Sequence, residues 1–83
     1  MKILYFAWLR ERLNRGEDQF DVPDDIKTVG DLMSWISNND EAAALAFSDR
    51  RLIRVAIDER LVDHDAQIAG AATIAFFPPM TGG

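Results

Sequence analysis

The chain has 83 residues, a length typical of one small domain that buries about 60 to 65 % of the surface exposed by its unfolded form. Hydrophobic residues make up 48 % and charged residues 28 % of the sequence, which is typical of a globular protein and argues against a disordered one. The net charge of -5 repels phosphate backbones and anionic lipid headgroups, so we expect neither nucleic acid nor a membrane as a partner.

The absence of cysteine and the presence of a single histidine limit the bonds, metal sites and reactions that the side chains can provide. The sequence has no cysteine, which excludes disulfides, thiolate zinc sites and catalysis by a side-chain sulfur. The one histidine, His64, lies between Asp63 and Asp65 and is predicted to be a solvated turn residue, so we expect no metal site. No apolar run approaches the ~20 residues that cross a bilayer, and the first residues lack the pattern of a signal peptide. We therefore predict a cytoplasmic protein.

The first part of the chain predicts two strands that flank a short helix. The apolar run over residues 2–7 contains isoleucine, tyrosine and phenylalanine, which favour a buried strand. Residues 8–14 are typical of one or two helical turns, and Gly16 would stop them. Residues 17–23 alternate weakly and predict a second strand that pairs with the first, with Pro23 as its end.

The strongest local signal is that of a helix beginning after Thr28. Thr28 and Asp31 have the spacing of a capping box. Four apolar residues follow the i, i+3, i+4, i+7 pattern of one helix face, namely Val29, Leu32, Met33 and Ile36. The pair Asn38 and Asn39 is expected to end this helix, and residues 41–47 are rich in alanine and predict a short second segment.

The last part of the chain predicts three more strands. Alternation indicates a strand over residues 52–58, and a turn at Asp58 and Glu59 leads to a short returning strand over residues 60–62. An irregular connection over residues 63–70 precedes the final strand at 73–77. This order of elements predicts an α+β fold in which one main helix packs across one face of a mixed sheet.

One helix leaves the other face of such a sheet uncovered. In the last strand Ala75 and Phe77 point away from Ile74 and Phe76, and in the first strand Leu4 and Phe6 point away from their neighbours. We expect an exposed apolar patch there, and such patches commonly mark protein interfaces. The alternative is that the segments around Trp8 and Phe47 fold over this face and close a second small core.

The sequence ends with the run "AFFPPMTGG". Pro78 and Pro79 cannot donate ladder hydrogen bonds, so they should stop the sheet and direct the following residues outward. The six residues 78–83 reach at most roughly 20 Å, and Gly82 and Gly83 would make the end narrow enough for the channel of an enzyme. The reactive group would then be the terminal carboxylate, whereas a disordered end would be the plainer alternative.

Four stretches, "ILYFAWLRE", "TVGDLMSWI", "LVDHD" and "AFFPPMTGG", resemble the family of molybdopterin synthase small subunits, which are ubiquitin-like sulfur carriers. The resemblance spans nearly the whole chain. It implies a β-grasp fold over a single domain, residues 1–83, with residues 78–83 as an extended tail.

The resemblance also implies a chemistry at Gly83. An ATP-dependent activating enzyme of the E1 type would adenylate its carboxylate, and a sulfur donor protein would convert the adenylate into a thiocarboxylate. The large catalytic subunit would then accept the tail, and the sulfur would pass to a pterin precursor in molybdenum cofactor biosynthesis. The chain would hold no permanent cofactor, would not be a catalyst by itself and would assemble with the large subunit into a heterotetramer.

Residue by residue, the resemblance places Phe77 and Leu61 at apolar partner contacts and Arg10 at a basic one. The alternation of the first strand adds Phe6 to the same interface. Gly82 and Gly83 match outright, and Met80 and Thr81 would act as spacers between Pro79 and the terminus. Residues 68–74 depart from the family, because two acidic residues of an Asp-Gly-Asp turn are missing there. Three alternatives stay open: a sulfur carrier for thiamine thiazole or tRNA thiolation, a protein modifier, and a plain interaction domain.

Overall fold

Five strands form one mixed sheet in the computed structural model, which describes residues 1–79. The elements are β1 (Lys2–Tyr5), α1 (Trp8–Leu13), β2 (Glu17–Gln19), α2 (Val29–Asn39), α3 (Glu41–Ala46), β3 (Arg54–Ile57), β4 (Arg60–Val62) and β5 (Thr73–Phe77). The strand order is β2-β1-β5-β3-β4. β1 and β5 run parallel, and the other neighbours are antiparallel. The predicted α+β fold with a mixed sheet is therefore confirmed.

A single apolar cluster lies between one face of the sheet and the helices. Its members are buried residues of β1, β3, β5 and all three helices, together with residues of the connections. They include Ile3, Tyr5, Leu9, Leu13, Val29, Leu32, Met33, Ile36, Ala43, Ala46, Phe47, Ile53, Val55, Ile68, Ile74 and Phe76. The helices formed by residues 1–79 are all too short or too polar to cross a bilayer.

Helix α2 begins and ends where the sequence predicts. The Thr28 side chain accepts the N–H of Asp31 at 3.1 Å, and the Asp31 carboxylate accepts the N–H of Thr28 at 3.2 Å, which completes the capping box. The helix ends at Asn39, the second residue of the pair predicted to end it, and Asn38 is still helical. The Asn39 side chain donates to the carbonyl of Trp35 at 2.7 Å, so its amide is used within the helix.

Asp40 separates α2 from α3. Its carboxylate accepts the N–H groups of Ala42 and Ala43, which makes it the N-cap of α3. The short alanine-rich helix predicted over 41–47 is present as Glu41–Ala46. Its buried residues, Ala43 and Ala46, allow the helix to approach the core closely.

Strand β2 is shorter than predicted and ends at Gln19. The next residue, Phe20, packs the edge of its ring on Trp35 of α2, with 5.3 Å between the ring centroids. The amino group of Met1 donates to the Phe20 carbonyl at 3.0 Å. The N–H of Phe20 donates to the Met1 carbonyl at 3.0 Å in return, so pairing with the first strand continues one residue beyond Gln19.

Two other boundaries differ from the predicted ones. Helix α1 ends at Leu13 because Asn14 adopts the left-handed conformation with φ of 56°, so the helix stops before Gly16. Strand β3 begins only at Arg54, since residues Arg50–Leu52 form a 3-10 turn. The Asp49 carboxylate caps that turn by accepting the N–H of Arg51 at 3.1 Å.

Residues 68–74 lack the two acidic residues of the Asp-Gly-Asp turn, and Asp58 in another loop stabilises the end of this segment. Asp58, in the turn between β3 and β4, accepts the N–H of Ala72 at 3.1 Å and that of Thr73 at 2.8 Å. The N–H of Asp58 donates in return to the Thr73 carbonyl at 2.8 Å. These bonds fix the start of β5 without an acidic residue in residues 68–74.

Candidate partner-docking site

The alternation predicted for β1 and β5 is confirmed. Ile3 and Tyr5 are buried under the helices, whereas Phe6 is 47 % exposed and Leu4 is partly exposed. In β5 the buried residues are Ile74 and Phe76, and Ala75 and Phe77 are half-buried on the opposite side. The sheet therefore has one covered face and one open face.

The register places apolar side chains side by side on the open face. Leu4 pairs with Ala75, Ala75 with Ala56, and Ala56 with Leu61, and cross-strand partners share a face of the sheet. Leu61 on the edge strand β4 is 71 % exposed. We call this surface the docking face and define it by Leu4, Phe6, Ala56, Leu61, Ala75 and Phe77.

The segments around Trp8 and Phe47 do not cover the docking face. Phe47 is buried on the helix side, where its ring lies 5.1 Å from that of Phe76. Trp8 packs against the core and lines a surface hollow with Leu52, Pro78 and Pro79. The alternative of a second small core is therefore wrong for the residues that the structure describes.

The predicted interface residues do not all lie together. Phe6 and Phe77 follow residues that are paired in β1 and β5, and Leu61 lies on the same face across β3. Arg10 lies on α1 and not on the sheet, and its guanidinium covers Gly16. A Cβ atom added to Gly16 would lie 3.0 Å from Cζ of Arg10. The structure thus groups three of the four residues.

The base of the predicted tail lies where β1 and β5 end. The N–H of Phe6 donates to the carbonyl of Phe76 at 3.1 Å, which extends the parallel ladder by one bond. The following residue, Ala7, has φ of 55° and ψ of -135°, a conformation that is unfavourable for residues with a Cβ. This turn directs the chain into α1 and leaves Phe6 on the surface. Pro78 and Pro79 are half-buried beside Trp8.

Four of the predicted site residues, Met80, Thr81, Gly82 and Gly83, lie outside the described residues. Their assignment as tail and reactive terminus stays a prediction from the sequence.

A charged network around Arg15, in the connection between α1 and β2, joins β1, β2 and the N-terminus of α3. The Arg15 guanidinium donates to Asp18 at 2.8 Å and to Asp40 at 2.6 Å, and the Tyr5 hydroxyl donates to Asp18 at 2.8 Å. Burial and the hydrogen bond to Asp18 raise the pKa of Tyr5. The hydrogen bond from Arg15 lowers the pKa of Asp40 below its usual range. The network ties together segments 25 residues apart in sequence.

His64 lies in a turn, as the sequence predicts, but its imidazole is not simply solvated. Its side chain is half-buried, and Nε2 lies 2.9 Å from the carbonyl oxygen of Ile53. The imidazole therefore joins the β4–β5 connection to the start of β3. Among residues 1–79, no three histidine, aspartate or glutamate side chains are grouped in a way that could hold a metal ion.

Sequence reasoning missed one charged neighbour of Phe77. Arg54 in β3 lies directly opposite Phe77 of β5, and its side chain is exposed. The alternation of residues 52–58 placed Arg54 and Ala56 on one side of the strand. Only the strand order shows that this side belongs to the docking face.

The mixed sheet, the helix across one face and the apolar docking face beside the end of the last strand define a ubiquitin-like β-grasp protein. The fold is similar to that of SAMP1 from Haloferax volcanii, with a TM-score of 0.72 and 25 % sequence identity over 99 % of this chain and 97 % of that one.

Two curated relatives match the chain from end to end. The molybdopterin synthase sulfur carrier subunit of Escherichia coli is 36 % identical over all 83 residues and 99 % of its own length. The subunit of the same name from Haemophilus influenzae is 32 % identical with the same coverage. Residues 3–83 match the model of the ThiS family. The chain belongs to the ThiS family.

Proposed function

We propose that this chain is the sulfur carrier subunit of a molybdopterin synthase. The observation that carries the proposal is the match over the full length of two relatives that bear this name. The membership in the ThiS family, which extends to Gly83, supports it. On this proposal residues 1–83 form one domain, residues 78–83 are an extended tail, and the protein acts in the cytoplasm.

The proposed chemistry takes place at the carboxylate of Gly83. A carboxylate is a poor acyl donor, so an activating enzyme first uses ATP to form an acyl adenylate and releases pyrophosphate. The terminal sulfur of a persulfide on the donor protein then attacks the acyl group and releases AMP. A thiol reductant cleaves the S–S bond of the resulting acyl disulfide, and the thiocarboxylate stays on Gly83. The absence of cysteine in the sequence agrees with this route, because the transferred sulfur is carried on the main-chain terminus.

The proposed large catalytic subunit supplies the substrate pocket, and the chain supplies position and sulfur. Pro78 and Pro79 follow β5 and cannot extend its ladder. Met80 and Thr81 act as spacers, and the two glycines lack side chains that would obstruct a narrow channel. Holding the terminal sulfur next to the pterin precursor converts an encounter in solution into a reaction within one complex.

The docking face is the proposed contact with the large subunit. Phe6, Leu61 and Phe77 are exposed or half-buried apolar residues on one side of the sheet, and aromatic side chains at the centre of an interface often dominate its binding energy. Arg10 would form a separate contact from α1. The activating enzyme must receive the same tail, so the two partners would bind in turn.

A reconstitution experiment tests this function. The chain is coexpressed with the activating enzyme and the sulfur donor, purified, and mixed with the large subunit and the pterin precursor. We expect conversion to the dithiolene product with the wild-type chain and none with a variant that lacks Gly82 and Gly83. The truncated chain should still bind the large subunit through the docking face. Product formation by the truncated chain would contradict the proposal.

A further inference from the structure

Three arginines lie close together on the surface of this protein, although its net charge is -5. Arg50, Arg51 and Arg54 line one surface depression together with Leu61, Asp63 and His64. The three arginines come from the 3-10 turn and the first residue of β3. We call Arg50, Arg51 and Arg54 the arginine corner.

The charges of this corner are only partly neutralised. The Arg51 guanidinium pairs with Asp49 at 3.0 Å while its side chain remains 90 % exposed. Arg50 donates to the Gly30 carbonyl at 3.2 Å and to the Ser34 hydroxyl at 2.6 Å, so uncharged groups hold its guanidinium in place. Within residues 1–79 the Arg54 side chain makes no hydrogen bond or ion pair. Arg50 and Arg54 therefore remain available to an external carboxylate.

The arginine corner adjoins the docking face at the base of the tail. Arg54 lies opposite Phe77, the last residue of β5, and Leu61 borders both the depression and the docking face. At the other end of the strands, Asp58 and Glu59 of the β3–β4 turn share a depression with Lys2. The Lys2 ammonium group pairs with the Glu17 carboxylate at 3.8 Å, so acidic groups outnumber basic ones there. The docking face thus has a positive end next to the tail and a negative end away from it.

We infer that the arginine corner binds an acidic loop of the large subunit at the entrance of the channel that receives the tail. This inference rests on the proposed function and names the chemistry of the contact. Guanidinium groups bind carboxylates in a bidentate manner. An acidic loop pairing with Arg54 would fix the orientation of the docking face while Phe77 and Leu61 become buried. Complementary charges at the edge of an interface mainly increase the association rate.

A nucleic acid is the other polyanion that arginines could bind, and the charges argue against it. The net charge of -5 repels a phosphate backbone. Asp63 lines the same depression, and it would face a continuous phosphate chain at close range. A short acidic loop of a protein can place its carboxylates against Arg54 and Arg50 and avoid Asp63.

Charge reversal at Arg54 tests the inference. Binding of the wild-type chain, Arg54→Glu and Arg54→Gln to the large subunit is measured by stopped-flow and titration at low and high salt. Lys27→Glu is the matched control, because Lys27 is exposed in the loop before α2 and the substitution changes the net charge equally. We expect Arg54→Glu to weaken binding about tenfold at low salt, mainly through the association rate, and Arg54→Gln to have a smaller effect. Lys27→Glu should stay within about twofold of the wild type.

The outcomes separate this inference from the proposed function. If the wild-type chain binds the large subunit and Arg54→Glu binds no worse than Lys27→Glu, the inference is wrong and the proposed function stands. If the wild-type chain does not bind the large subunit at all, the inference and the proposed function both fail.

Fluorescence anisotropy with a single-stranded DNA oligonucleotide is run in parallel. Wild-type binding to the oligonucleotide that is lost in Arg54→Glu, with unchanged binding to the large subunit, would assign the corner to nucleic acid and overturn the inference.

Discussion

The neighbours Phe76 and Phe77 lie on opposite faces of the sheet. Truncating Phe76 should therefore lower mainly the stability of the fold, and truncating Phe77 should weaken mainly the binding of a partner. Phe76 is fully buried, with its ring stacked on Tyr5 at 6.4 Å and tilted against Phe47 at 5.1 Å between centroids. Replacing a buried phenylalanine by alanine costs about 3–5 kcal/mol. A domain of this size has a total stability of roughly 4–12 kcal/mol at about 0.05–0.15 kcal/mol per residue. Phe76→Ala should therefore remove a large part of the free energy of unfolding.

Phe77→Ala should behave differently. The Phe77 side chain is half-buried on the docking face, so its truncation should cost about 1 kcal/mol or less of stability. If it is a central contact for the large subunit, the same truncation should cost about 2 kcal/mol or more of binding free energy. Urea unfolding followed by tryptophan fluorescence measures the first quantity, and titration with the large subunit measures the second. Equal destabilisation by the two variants would refute the assignment of the two faces.

Three further predictions concern the charges, the helix cap and the docking face. Asp40→Asn keeps the N-cap of α3 but removes the ion pair with Arg15. The pKa of Asp40 is lowered in the folded state, so the ion pair stabilises the fold at neutral pH. This stabilisation is lost as the pH falls below about 4, where the carboxylate becomes protonated. Because the side chains of Arg15 and Asp40 are partly exposed, we expect Asp40→Asn to lose about 1 kcal/mol or less of unfolding free energy at pH 7 and nothing in acid. Urea titrations that show the same difference between the variant and the wild type at every pH would contradict this. Thr28→Ala should cost about 1 kcal/mol in the same assay by removing the acceptor for Asp31 N–H, and an unchanged midpoint would rule out a stabilising cap. Leu61→Asp should weaken binding to the large subunit at least tenfold while the unfolding midpoint stays unchanged, because Leu61 is exposed; intact binding would remove Leu61 from the interface.

Local patterns were sufficient for the parts of the fold that depend on neighbouring residues. The capping box and the spacing of Val29, Leu32, Met33 and Ile36 predicted the start and the buried face of α2. Alternation in β1 and β5 predicted which side chains would be buried under the helices, because successive residues of a strand point to opposite faces. The part of the docking face that β1 and β5 supply, namely Leu4, Phe6, Ala75 and Phe77, follows directly from that alternation.

Features that depend on distant residues could not be predicted. The packing of Phe20 depends on Trp35 of α2, and the environment of His64 depends on the Ile53 carbonyl. The position of Arg54 beside Phe77 requires the strand order.

The measurement that tests sulfur transport at Gly83 most directly is the intact mass of the chain after coexpression with the activating enzyme and the sulfur donor. We predict a species heavier than the unmodified chain by one exchange of oxygen for sulfur, located on Gly83 by fragmentation and absent when the activating enzyme is omitted. A chain that stays unmodified under these conditions, or one that carries the sulfur at another residue, would contradict the account.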